Sequence, residues 1–503
     1  MDIGVETGQW TRLKELCDSV LSERPLILAS NRGPIEYHVK DGGRPEPRRG
    51  SGGVVTALNS FTRTLDFTWV ASTMGEGDRR IAEESQNARI TLPGQKVHMR
   101  FISTPRRVYH KFYNILCNPL LWFLQHYMWN SPYNPNIDAN VHDAWNNGYV
   151  WVNEAFGHAV VEEGLRMGGS PVVMTHDYHL YLLPGYIRKH LPTAIIQHFT
   201  HIPWPSPRYW KLLPSYMRTS ICESLASADI VGFQSMGDVR NFLDCCDEFL
   251  VGHDVDHNQQ EVSFQDRKCS VQPYPISINV DEILRIANSP RALEYEQRLR
   301  STVNDNVIVR VDRAEPSKNV VRGFRAFSLL LKRYPMFQGR VSFLAFLVPS
   351  RTHIRQYKRY MEEIEKTIEE INNTYGTNEW QPIRPYFENN YTQAIAGMKI
   401  YDVLLVNAVI DGMNLVAKEG PLVNSKDGVV ILSEGTGAHN QLRHGALTVS
   451  PADVEGTMQA MYEALTMEAE ERKRRARDLV ESIRREDISH WLSRQIEDIG
   501  KLV

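Results

Sequence analysis

The chain is short of the features that would staple it together or tether it. Its 503 residues hold six cysteines (Cys17, Cys117, Cys222, Cys245, Cys246 and Cys269), and the one close pair is vicinal. Neither a CxxC spacing for zinc nor a closely spaced disulfide framework is present, so the thiols read as reduced and the compartment as cytoplasmic. No apolar run approaches the ~20 residues of a membrane span, and the N-terminus has no basic-then-apolar signal pattern. Charge of one sign is missing too: 57 Lys and Arg stand against 60 Asp and Glu, leaving −3 at pH 7. Without a global field, nucleic acid and membrane are excluded as partners, while a local basic pocket for one phosphorylated metabolite remains allowed. A homo-oligomer is neither indicated nor excluded.

What is present is ordinary globular material, 42% hydrophobic and 23% charged, long enough for two or three domains. Trp10, Leu13, Leu16, Cys17, Val20 and Leu21 recur at helical spacing and predict a leader helix within residues 1–24. Beyond it, short apolar runs alternate with helical stretches. Leu26–Ser30, Val172–Met174, Ala194–Phe199 and Ile230–Phe233 read as buried strands of a first half. Val307–Val311, Val341–Leu347, Val403–Ala408 and Val429–Leu432 read as those of a second. Strands separated by helices imply βαβ units. The expectation is an α/β protein of two doubly wound parallel-sheet domains facing a cleft, 25–275 and 276–484. The boundary falls at Pro273-Tyr274-Pro275-Ile276, and a last helix over 485–503 crosses back to the first domain.

In such sheets ligands bind where strands end and helices begin, so the strand-end segments carry the functional argument. Asp411-Gly412-Met413-Asn414-Leu415-Val416-Ala417-Lys418-Glu419 follows the apolar run ending at Val406 and opens a helix predicted from Val416. It places two carboxylates around a helix start whose N–H groups suit anionic or hydroxyl-rich ligands; a plain N-cap aspartate is the competing reading. Arg313-Ala314-Glu315-Pro316-Ser317-Lys318 sets two cations five residues apart, placed to converge on a diphosphate or to form an ordinary surface pair. Arg351 lies at another strand end as a candidate phosphate handle. Arg48-Arg49-Gly50-Ser51-Gly52-Gly53 is Gly-rich without being a Walker loop or a GxGxxG, and is either a diphosphate-approaching turn or simply a turn. His176-Asp177-Tyr178-His179 has HxxH spacing but no third ligand, so no metal is expected there. With His201-Ile202-Pro203-Trp204 it fits a sugar-hydroxyl site, although His201 also reads as a satisfied structural histidine.

Together these segments resemble the family 20 glycosyltransferases. The resemblance runs from Leu26 onward and takes in Tyr113-Asn114, Asn118, Trp122, Leu182-Leu183-Pro184, Gly232-Phe233-Gln234-Ser235, Leu432-Ser433-Glu434 and Asp487-Ile488-Ser489-His490-Trp491. It implies a GT-B architecture of two Rossmann-like domains, with the nucleotide sugar held mainly by the second and the acceptor mainly by the first. It implies retaining transfer of glucose from a uridine or guanosine diphosphate glucose to glucose 6-phosphate, giving α,α-trehalose 6-phosphate without a cofactor or metal. By matching motif, Gly53 approaches the donor phosphates, and Arg313 and Lys318 bind the diphosphate. Asp411 and Gly412, with the amides of Met413, Asn414, Leu415 and Val416, hold the transferred sugar, and Glu419 the ribose. Asp177 and His201 contact sugar hydroxyls near the reacting carbon; Arg32, Tyr113, Trp122, Asp177 and Arg351 hold the phosphorylated acceptor. The catalytic set so implied is Asp177, His201, Arg313, Lys318 and Asp411. Departures from the common pattern at Ala314-Glu315-Pro316, Asn319, Leu422-Val423-Asn424 and the Trp129–Trp145 stretch resemble the pseudo-glycosyltransferases that join two cyclitols through nitrogen. Glucosylglycerol-phosphate synthesis and a non-enzymatic regulatory subunit are further alternatives.

Overall fold

Runs such as Val403-Leu404-Leu405-Val406 are apolar at every position because helices cover both faces of a parallel sheet, leaving no solvent side to mark with polar residues. The structure, a computed structural model, describes residues 3–503 except 23, 40–42, 51–54, 56–57, 59–64, 93–95 and 352–353; for 3–9 it describes the backbone alone. The chain forms two units, Met1–Pro275 with Ser489–Val503, and Ile276–Ile488.

The first unit contains β1 (Leu26–Ser30), β2 (Ile35–His38), β3 (Glu46–Arg49), β4 (Phe67–Ser72), β5 (Ile90–Thr91), β6 (Val97–Ile102), β7 (Val172–His176), β8 (Ile195–Phe199), β9 (Ile230–Phe233), β10 (His253–Asp256), β11 (Glu261–Phe264) and β12 (Arg267–Pro273). Ten of them form one sheet in the order β10-β11-β12-β9-β8-β7-β1-β4-β6-β5, and β2 pairs with β3 as a separate hairpin. From β6 to β12 every neighbouring pair is parallel. The order reverses between β1 and β7, which defines the first switch point.

The second unit contains β13 (Asn306–Ala314), β14 (Val341–Pro349), β15 (Ile383–Tyr386), β16 (Val403–Val406), β17 (Val429–Ser433) and β18 (Leu447–Val449). Its order, β15-β14-β13-β16-β17-β18, is the 3-2-1-4-5-6 of a Rossmann sheet, all parallel, with its switch point between β13 and β16. The helix Val320–Arg333 presents Val320, Phe324, Phe327 and Leu331 along one face, and both phenylalanines meet Phe343 of β14 edge-to-face at 5.3 and 5.2 Å.

Both sheets have more strands than the apolar runs indicated. β6 is interrupted by His98 and Arg100, and Arg100 is tolerated inside because Glu163, its side chain fully buried, pairs with it at 2.9 Å. β15 and β18 are short edge strands with polar positions, too brief to stand out. The N-terminal helix runs from Ile3 to Val20.

The helix Ile488–Gly500 packs into the first unit. Trp491, 2% exposed, donates its indole N–H to the Tyr274 carbonyl at 3.0 Å and meets Phe199 edge-to-face at 5.3 Å. Phe199 ends β8, two residues before His201, so this helix braces the strand end that carries the histidine. Trp491→Ala should destabilise the protein by about 3–5 kcal/mol through the cavity it leaves, measured by urea unfolding. A loss within error of zero would show that the return helix does not brace the unit.

Candidate functional site at the two switch points

In the second unit the two loops at the switch point are joined by charge. Lys318 ends the 3₁₀ turn Pro316–Lys318 after β13, and its ammonium hydrogen-bonds the Asp411 carboxylate on the loop after β16. Burial works to lower the Lys318 pKa, but Asp411, Glu315 and Asp312 around it raise it overall, so the side chain stays a cation. Asn414 donates to the same Asp411 oxygen at 3.0 Å. Behind them Arg310, fully buried, pairs with Asp312 at 2.7 Å and donates to the carbonyl of Lys318 at 2.9 Å, fixing the backbone of the turn.

The Asp411 loop is held from its other side by the turn after β17. Asp411 N–H donates to Gly435 at 3.0 Å, Gly437 N–H to Asp411 at 3.0 Å, and Ala438 N–H to Met413 at 2.9 Å. A Cβ on Gly437 would fall 1.9 Å from the Gly412 carbonyl oxygen, so only glycine allows this approach. Asn414 is left-handed (φ 72°), and its side-chain oxygen accepts from Ala417 N–H at 3.3 Å. Asp411 is therefore not the cap of the helix Val416–Val423, whose N-cap position is Leu415. Among the described residues the N–H groups of Met413, Asn414, Leu415 and Val416 donate to no protein acceptor. They form a short run of donors beside a carboxylate and a lysine, which suits a hydroxylated group carrying phosphate.

Arg313, half-exposed, pairs with Glu315 at 3.0 Å, and the other Glu315 oxygen lies 3.8 Å from Arg351. Arg351 also bonds the Tyr357 hydroxyl and lies over that ring. Glu315, 1% exposed, thus gathers two of the predicted arginines. Glu419 is buried and accepts from the Tyr391 hydroxyl at 2.8 Å; burial pushes its carboxyl up to about 7, the tyrosine bond opposing.

In the first unit Asp177 follows β7 with φ 73° and ψ 169°, a region nearly reserved for glycine that costs of order 1–3 kcal/mol. The distorted backbone aims the carboxylate at the end of β8, where it accepts from His201 N–H at 3.3 Å, and at His179 Nδ1 3.8 Å away. His179 stacks on Tyr113 at 5.9 Å, and Tyr113 stacks on Tyr109 at 5.5 Å. Tyr113 hydrogen-bonds Arg32, which also reaches Glu36 at 3.4 Å. Burial would lower the Arg32 pKa, but Tyr113, Glu36 and Tyr109 raise it overall. One connected chain, Arg32–Tyr113–His179–Asp177–His201, runs along the first switch point.

The two histidines of the HxxH spacing diverge: His179 stacks on Tyr113, whereas His176 is fully buried against His201. Among the described residues no group of three or more His, Cys, Asp or Glu is placed to hold a metal ion. Trp122 is 2% exposed and stacks on His126 at 3.8 Å. Arg351 belongs to the second unit, where Glu315 links it to Arg313. Gly53 lies outside the described residues. Sequence reasoning gave no site role to Glu315, Tyr391 or Gly437, and weighed His176 only as a metal ligand. A Gly-Thr-Gly turn after a buried strand was the one available signal, for Gly437; the Glu315–Arg351, Tyr391–Glu419 and His176–His201 contacts join residues distant in sequence.

Glu419 gives a pH prediction. Its folded-state pKa of about 7 lies above the ordinary glutamate value of 4.5, so its contribution to stability is complete below 4.5 and is lost as pH rises through about 7. Glu419→Gln, always neutral, should escape that loss. In urea unfolding the variant should gain on the wild type by up to ~3 kcal/mol between about pH 4.5 and about pH 8. A pH-independent difference would place the Glu419 titration elsewhere.

The family model for Glycosyltransferase family 20 matches residues 24–501. The UDP-forming alpha,alpha-trehalose-phosphate synthase of Candida albicans is 30% identical over 484 residues, covering 95% of this chain and 97% of its own. A protein of the same name, form A, from Dictyostelium discoideum is 29% identical over 480 residues, and the chain spans 62% of its length. A validamine 7-phosphate valienyltransferase from Streptomyces hygroscopicus is 26% identical, over 94% of each chain. Among solved structures, the UDP-forming synthase of Burkholderia xenovorans in complex with glucose-6-phosphate superposes with a TM-score of 0.81 at 26% identity, covering 94% of this chain and 99% of its own. The architecture is GT-B, two Rossmann-like units whose switch points carry the strand-end motifs, and the chain belongs to glycosyltransferase family 20.

Proposed function

We propose that this protein is a retaining glycosyltransferase that moves glucose from UDP-glucose to glucose 6-phosphate, forming α,α-trehalose 6-phosphate and UDP. The observation that carries this reading is the Lys318–Asp411 pair at the second switch point, in a chain matched nearly end to end by a UDP-forming synthase. The bond from glucose C1 to the UDP β-phosphate breaks, and the bond from C1 to the anomeric oxygen of glucose 6-phosphate forms on the same face. The acceptor hydroxyl proton passes to the leaving phosphate. Charge gathers on that phosphate, and Lys318, kept cationic by its carboxylates, meets it together with Arg313. The unpaired amides of Met413 to Val416 and the Asp411 carboxylate hold the transferred glucose, and Glu419 takes a ribose hydroxyl in place of Tyr391. Asp177 and His201 contact sugar hydroxyls beside the reacting carbon. Arg32, Tyr113, Trp122 and Arg351 take the acceptor, the two arginines as its phosphate handle. Six buried free thiols support a reducing compartment such as the cytoplasm, and no helix among the described residues is long and apolar enough to cross a membrane.

The decisive experiment offers UDP- and GDP-linked glucose and nucleotide-linked valienol, with glucose 6-phosphate and an amino-cyclitol 7-phosphate competing as acceptors. Trehalose 6-phosphate with an α,α linkage, identified by mass and anomeric NMR, is the expected product, and UDP-glucose the preferred donor. Exclusive formation of the nitrogen-linked product would replace this reading with cyclitol coupling. Arg351→Ala should raise the KM for glucose 6-phosphate roughly ten- to a hundredfold, the loss of about 1.5–3 kcal/mol from one charge-assisted bond. Activity on unphosphorylated glucose should hardly change; equal damage to both acceptors would move Arg351 to the donor side with Arg313.

A further inference from the structure

His176 ends β7, one residue before Asp177, and its ring is fully buried. Its Nδ1 lies 3.2 Å from Nε2 of His201, with the ring centroids 5.4 Å apart. Burial pushes the His176 pKa down to about 3, and burial plus the neighbouring imidazoles hold His198 and His201 well below the usual value, so all three rings are neutral. Two neutral imidazoles that meet through one nitrogen each share a single proton: one ring donates and the other accepts.

The rest of the pocket decides which. His176 Nε2 is buried and has no hydrogen-bond partner among the described residues. A buried N–H without an acceptor is the rarer and costlier orphan, so the His176 proton belongs on Nδ1, where it is used. His198 follows the same rule. Its Nε2 is likewise buried without a partner, and its Nδ1 meets the Thr175 hydroxyl at 2.8 Å, so it does not compete for His176. His176 is then the donor, His201 Nε2 the acceptor, and neutral His201 must carry its own proton on Nδ1.

We propose that His176 is a positioning residue which, through its Nδ1–H bond to His201 Nε2, fixes His201 as the Nδ1–H tautomer and makes it a hydrogen-bond donor to a sugar oxygen. The inference rests on the reading of His201 as a sugar contact, and it adds the direction of that contact. The bond also sets the ring's rotation, because Asp177 holds the His201 backbone N–H while His176 holds the side chain. Orientation by a buried neighbour that never touches substrate is how outer groups tune a histidine elsewhere.

Neutron diffraction from deuterated crystals of the full chain reads the tautomer without substrate. Deuterium is expected on Nδ1 of both His176 and His201; deuterium on His176 Nε2 would overturn the proposal. The kinetic arm compares His176→Leu, which removes the donor, with His176→Asn, whose amide can return an N–H near the Nδ1 position. His176→Leu should lower kcat by ~10–100-fold with little change in the KM for glucose 6-phosphate, and His176→Asn should recover most of it. Equal impairment of the two variants would reduce His176 to packing and overturn the positioning role. If His176→Leu fails to fold, the neutron map and His176→Asn decide. A chain that makes no trehalose 6-phosphate yet shows both Nδ1 deuterons overturns the functional reading alone.

Discussion

The ion pair between Lys318 and Asp411 is the contact on which the second unit's site depends. It joins the loop after β13 to the loop after β16, the two strands between which the sheet order reverses. Parallel strands that diverge at a switch point leave a crevice at their carboxyl ends, and nothing in the sheet ladder itself ties the two loops together. Charge does so here, together with the Val409 N–H to Ser317 carbonyl bond at 2.8 Å and the Asn319–Asn407 amide contacts. Both side chains are largely buried, so removing either partner would strand the other, at a cost of ~3–5 kcal/mol by precedent for buried pairs. Arg310 and Asp312 extend the alternation of charge inward, and Asn414 extends it along the Asp411 loop. A ligand phosphate entering this lattice meets a cation already held in place.

The first unit reaches a comparable result by strain rather than by charge. Asp177 is forced into a glycine-like backbone conformation, and its distorted peptide places one carboxylate against both His201 and His179. Left-handed non-glycine residues recur at strand ends in the second unit as well: Asn319, Arg351 and Asn414. Each is held by several bonds or contacts, as such conformations require. Asn319, for example, donates to the carbonyls of both Asn407 and Pro451. Two sheets with matching strand orders thus place their distorted residues along the carboxyl edges, the edge where ligands approach.

How much of this was legible in the sequence follows from what sequence patterns measure. Buried strands such as Val403–Val406 and Val429–Ser433 announce themselves because every side chain is apolar, and the loops after them were found by position alone. The family was legible because its motifs occur in order along nearly the whole chain. Candidate chemistry at Arg313, Lys318, Arg351 and Asp411 was read from strand-end position, and the specific residue roles came with the resemblance. What local patterns could not show is pairing across the sheet. His176 and His201 are 25 residues apart and meet because β7 and β8 run parallel in a register that sets His176 beside Phe199. Glu315 looked like a loop residue, and only the packed structure shows it buried between Arg313 and Arg351.

Two lysines in the second unit show why geometry, not burial, selects the group that can meet a leaving phosphate. Lys318 and Lys418 are both drawn out of water, and burial pushes both pKa values down. At Lys318 three carboxylates overcome that effect and the net shift is upward. Lys418 donates instead to the Ile276 carbonyl at 2.7 Å and has only Glu486 as an opposing charge, so its pKa falls to about 7. A carbonyl can anchor an ammonium but cannot keep it charged. Lys418 therefore fastens the helix Val416–Val423 to the first residue of its unit, while Lys318 carries the permanent charge. The same helix presents free N–H groups at one end and this anchor within its first turn, so the donor amides are held still without a counter-charge that would compete for the phosphate.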